Sequence, residues 1–94
     1  MRILSQDGMI DIPYEQSIIS IDYRNRTNII SRGSNCCEHR PYLIAKYSTE
    51  AKAQRAMEML RNEYHGYKVE EVYHEGTEYF HPIFQFPTDE ELED

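Results

Sequence analysis

The chain has no tryptophan, two cysteines, four glycines and four prolines in 94 residues. It has no apolar run long enough to span a bilayer. Its N-terminal MRILSQDG lacks the apolar stretch of a secretory signal. A cytoplasmic protein is therefore expected, with the cysteines as reduced thiols. Positive charge is also scarce. Ten Lys and Arg face seventeen Asp and Glu, for a formal net charge of −7. Nucleic-acid binding needs cations arrayed along a phosphate backbone, so direct binding to DNA or RNA is not expected. No G-x-G-x-x-G, P-loop or G-x-S-x-G motif occurs. No carboxylate pair stands in an apolar setting that would separate two pKa values. The residues give no sign of an enzyme, and no cofactor is expected.

What is present is an ordinary soluble balance, 39% apolar and 29% charged. A chain this short buries one modest core. Arg2–Leu4 and Met9–Ile12 flank SQDG, and Asp7-Gly8 signals a tight hairpin between them. Ile19, Ile21 and Tyr23 alternate with Ser20, Asp22 and Arg24, the period of a half-buried strand. Asn25-Arg26-Thr27 reads as a turn, and Asn28–Ser31 as the next strand. The Arg32–Arg40 stretch is polar and reads as a loop. Pro41–Tyr47 reads as a strand with Leu43, Ala45 and Tyr47 on one face.

Ala53, Ala56, Met57, Leu60 and Tyr64 then form one apolar stripe at helical spacing. Ser48 or Thr49 is placed to cap this helix, and Gly66 to stop it, with His65 in its last turn. Lys68–Glu75 reads as a weaker strand, and Ile83–Phe86 as a final one. These elements predict an α+β fold: a mostly antiparallel sheet of five to six strands with one amphipathic helix packed on one face. Residues 1–87 form a single domain, and 88–94 an acidic C-terminal tail.

Three groups of residues are candidates for function. Cys36, Cys37 and His39 could ligate a metal, but adjacent cysteines point apart and no spaced second pair exists, so an exposed polar loop is the favoured reading. Tyr64, Tyr67, Tyr73, Tyr79 and Phe80 belong to an aromatic-rich last third, suited to a recognition surface or to packing. Asp89, Glu90 and Glu91 open the acidic tail, which could meet a basic protein surface or simply remain solvated.

MRILSQDGMIDIPYE, YSTEAKAQRAMEMLR and FQFPTDEE resemble a set of small proteins carried by phages and conjugative elements of Gram-positive bacteria. The likeness covers the start, the helix and the end of the chain. The stretches 17–40 and 68–81 depart from it. The set supplies no activity and no catalytic residue to transfer. The resemblance implies a mobile-element origin and an accessory, anti-defence role, such as blocking a CRISPR effector. The leading expectation is thus a non-enzymatic inhibitor that binds a host protein with a basic surface. The alternative is a protein that sequesters a nucleotide-derived immune signal in an aromatic pocket. Either reading admits a homo-oligomer and needs no membrane.

Overall fold

The computed structural model describes residues 1–33, 41–73 and 83–92, with the backbone alone for 67–73. The described residues form six strands and one long helix: β1 (Arg2–Leu4), β2 (Asp11–Pro13), β3 (Ser17–Ile21), β4 (Asn28–Gly33), β5 (Tyr42–Lys46), α1 (Glu50–Tyr73) and β6 (Ile83–Gln85). The α+β class and the strand number agree with the sequence reading, but the expected single sheet is two. One has the order β2-β1-β6, the other β3-β4-β5. The first sheet is mixed: β1 pairs antiparallel with β2 and parallel with β6. The second is wholly antiparallel.

The opening hairpin forms, with a wider connection than a two-residue turn. Such a turn of the favoured type needs positive φ at both Asp7 and Gly8. Only Gly8 adopts it, at 77°. Instead Ser5 organises the loop. Its hydroxyl donates to Asp7 Oδ1 at 2.6 Å and accepts from the Ile10 N–H at 3.0 Å. The Met9 N–H donates to the same Asp7 oxygen at 2.9 Å. These bonds satisfy a serine that is almost wholly buried and hold the Asp7 carboxyl below its ordinary value.

In β3 the period of two holds: Ile19 and Ile21 are half-buried, while Ile18 and Ser20 are exposed. Tyr23 departs from it. The strand ends at Ile21, and Asp22 Oδ1 accepts the Arg24 N–H at 3.0 Å in a local turn that releases Tyr23 to solvent. In β5 the expected face of Leu43, Ala45 and Tyr47 also breaks. Ile29 pairs with Ala45 and Ile30 with Leu43, so Ile44 is an extra residue. This bulge lets Ile44 and Ala45 both be buried and turns Leu43 outward.

Helix α1 starts where its cap chemistry says: the Lys52 N–H donates to Thr49 Oγ1 at 3.2 Å. Ala53, Ala56 and Leu60 are buried, and Met57 and Tyr64 are half-buried. The helix runs through Gly66 to Tyr73, which overturns both the stop at Gly66 and the strand expected from Lys68. A helical glycine costs only about 1 kcal/mol, and Tyr67–Tyr73 contains good helix formers. His65 consequently lies inside the helix rather than in its last turn.

The core joins both sheets and the helix: Ile3 and Phe84 from the first, Ile29, Ile44 and Ala45 from the second, with Tyr47, Ala53, Ala56, Leu60, Phe86 and Leu92. Phe84 and Phe86 meet edge to face, with centroids 5.3 Å apart. Gln6 bridges the sheets. Its backbone N–H donates to the Ile44 carbonyl at 2.8 Å, its Oε1 accepts from the Lys46 N–H at 3.1 Å, and its Nε2 donates to the Pro87 carbonyl at 3.2 Å.

Candidate functional site

The second sheet has two unlike faces. Pairing of Ile19 with Ser31 and of Ile21 with Ile29 places these four on the inner face, and Ile29 and Ser31 are fully buried. Pairing of Ile18 with Arg32, Ser20 with Ile30, and Ile30 with Leu43 defines the outer face. Ile18 is 56% exposed and Leu43 50% exposed, with half-buried Ile30 on the strand between them. Tyr23, 75% exposed, rises from the β3–β4 turn at the end of this face. A β-branched and aliphatic cluster suits a strand surface, but on a solvated face it leaves apolar area uncovered.

A concavity of about 330 Å³ runs along the β3 edge against α1 and is lined by Tyr14, Ile18, Ile19, Met57, Leu60 and Arg61. Among the described residues β3 is an edge strand, and which of its groups face outward follows from the ladder. The Asp22 N–H donates to the Asn28 carbonyl at 3.0 Å, so Ile18 and Ser20 take the bonded positions toward β4. The backbone groups of Ile19 and Ile21 point away from β4.

The sequence candidates lie elsewhere. Tyr64 stacks on Tyr14, with ring centroids 4.2 Å apart and planes tilted by 33°, at the end of the β3–α1 groove. Tyr67 and Tyr73 are on α1, but their side chains fall outside the described residues, as do Cys36, Cys37, His39, Tyr79 and Phe80. Among the described residues no three His, Cys, Asp or Glu gather as a metal site.

The acids at 89–91 form a short 3-10 turn (Asp89–Glu91) rather than a uniform solvated run. Asp89 Oδ1 accepts the Ser48 N–H at 2.7 Å, and its Oδ2 lies 3.3 Å from Lys52 Nζ. The Ser48 N–H, with help from the Lys52 ammonium, holds the Asp89 carboxyl below its ordinary value. Glu91 Oε1 accepts from the Thr88 N–H at 3.5 Å, which closes a capping box, and also from the Thr88 hydroxyl at 3.0 Å. Glu90 is exposed and bonds to no other described residue. Leu92, buried in the core, anchors the turn. Nearby, the Tyr47 hydroxyl donates to the Pro87 carbonyl at 2.7 Å. Burial, then the charges of Asp89 and Glu91, push the Tyr47 phenol well above its ordinary pKa.

The outer face was not singled out in the sequence. The bulge that exposes Leu43 leaves no mark in residue alternation, and Tyr23 had a regular place in the β3 pattern. The fold and these surfaces define an α+β domain with one doubly used sheet. Comparison with protein-family models, curated proteins and solved structures finds no match. No helix among the described residues is long and apolar enough to cross a membrane.

Proposed function

We propose that the protein is a non-enzymatic binding protein that acts in the cytoplasm on another protein. The observation that carries this reading is the outer face of β3-β4-β5. Its Ile18 and Leu43 stand exposed on a sheet whose opposite face is already committed to the core. Apolar side chains on a rigid sheet give a partner burial at little ordering cost. Arg24 and Arg32 border the same face. The surface that fits is therefore an apolar patch with acidic groups at its margin, on a host protein. The resemblance to proteins of mobile elements supports an inhibitory, anti-defence role for such contact. A basic partner surface would be met by Glu90, since Asp89 and Glu91 are bonded within the chain.

The test compares capture of a partner from host lysate by the wild type, by the Ile18→Asp/Leu43→Asp pair and by Glu90→Gln. The reading expects one identified protein to be retained by wild type and Glu90→Gln and lost by the pair, with the pair still melting cooperatively as a folded protein. Capture that survives the pair and is lost with Glu90→Gln would transfer the contact to the acidic turn and refute the outer face.

A further inference from the structure

Of the eight Lys and Arg whose side chains are described, four pair with a carboxylate. Arg2, Arg26, Lys52 and Arg55 face carboxylates at 2.9, 3.2, 3.3 and 3.8 Å. Arg24 and Arg32 face none among the described residues, yet both line one groove. The groove measures about 240 Å³ and lies over Ile30, with Asp22, Tyr23 and Pro41 also among its described lining residues. Arg24 is held in place there. Its Nε donates to Tyr23 Oη at 3.2 Å, and its guanidinium carbon lies 5.7 Å from the Tyr23 ring centroid. The Asp22 carboxylate turns one oxygen to the Arg24 N–H.

Two guanidinia without carboxylate partners among the described residues supply planar donor forks suited to a phosphate. The exposed Tyr23 ring supplies a stacking surface that accepts any base, because every base has a π-face. Ile30 and Pro41 supply an apolar floor. The volume falls a little below the roughly 300–1,000 Å³ of pockets for drug-sized ligands and is on the scale of one nucleotide.

We propose that this groove binds a nucleoside monophosphate, with the phosphate between Arg24 and Arg32 and the base against Tyr23. The site goes beyond the protein-binding reading and shares Ile30 and Tyr23 with the outer face, but its test is separate, because Ile18 and Leu43, whose substitution tests protein binding, do not line the groove.

Calorimetric titration of the full chain at low ionic strength tests it, with AMP, GMP, CMP and UMP as ligands and adenosine and inorganic phosphate as separate probes. The expected result is saturable binding of the monophosphates, with adenosine and phosphate each at least about tenfold weaker. Arg32→Ala, Arg24→Ala and Tyr23→Ala should each weaken the nucleotide about tenfold while leaving the melting transition in place. No saturation below about 10 mM by any nucleotide would overturn the proposal. So would inorganic phosphate binding as well as AMP, or nucleotide binding that survives all three substitutions.

Discussion

Single residues fix the C-terminal end of this fold. Tyr47 is buried, and its hydroxyl satisfies the Pro87 carbonyl. Tyr47→Phe removes the donor and leaves that acceptor dry, so it should cost about 1–3 kcal/mol in a urea titration. The same phenol gives an alkaline signature. Its folded pKa is raised, so the stability it contributes is whole below the unfolded value near pH 10 and declines as pH rises above it. Tyr47→Phe should therefore flatten part of the loss of stability above about pH 10.

Asp89 works at the opposite end of the scale. Its folded pKa is depressed by the Ser48 N–H and Lys52, so its contribution is present above about pH 4 and fades as pH falls through the folded value. Urea midpoints at pH 7 and pH 3 should differ more for the wild type than for Asp89→Asn. Equal differences would show that this carboxylate has no structural part. The acidic composition of the end of the chain was plain in the sequence. That Asp89 is bonded to Ser48, 41 positions away, was not, because no local pattern encodes such a contact.

At the scale of elements, the sequence was most legible where one local rule governs. The alternation of β3 placed Ile19 and Ile21 inward, and the helical stripe through Ala53, Ala56 and Leu60 is buried. It was least legible where a long-range pairing or a small penalty decides. The bulge at Ile44 is set by the β4–β5 ladder, and the mixed first sheet by β6 arriving parallel to β1. The length of α1 turned on Gly66, whose preference for helix ends was outweighed. Beyond its chain neighbours and its own helical backbone, no described atom lies within 4 Å of a Cβ added there, and its φ is not positive. Gly66→Ala should accordingly stabilise the protein by about 0.5–1 kcal/mol. A loss of stability in thermal melts would mean that the helix ends at this residue after all.

For the whole molecule, the decisive feature is the unequal use of the two faces of β3-β4-β5. Inward, Ile29→Ala should cost about 2–5 kcal/mol, because a fully buried side chain leaves a cavity. Outward, Leu43→Asp should cost clearly less, about 1 kcal/mol, since half of that side chain is already in water and Asp is only modestly disfavoured in a strand. Equal costs for the two would erase the distinction between core face and recognition face.

Hydroxyl-radical footprinting of the chain alone and in complex with its captured partner tests the central claim most directly. Protection should appear at Ile18, Tyr23 and Leu43, and not at Met9 or Ile83, which are 83% and 64% exposed beyond the outer face. Protection confined to residues 89–91, or to Met9 and Ile83, would contradict the account.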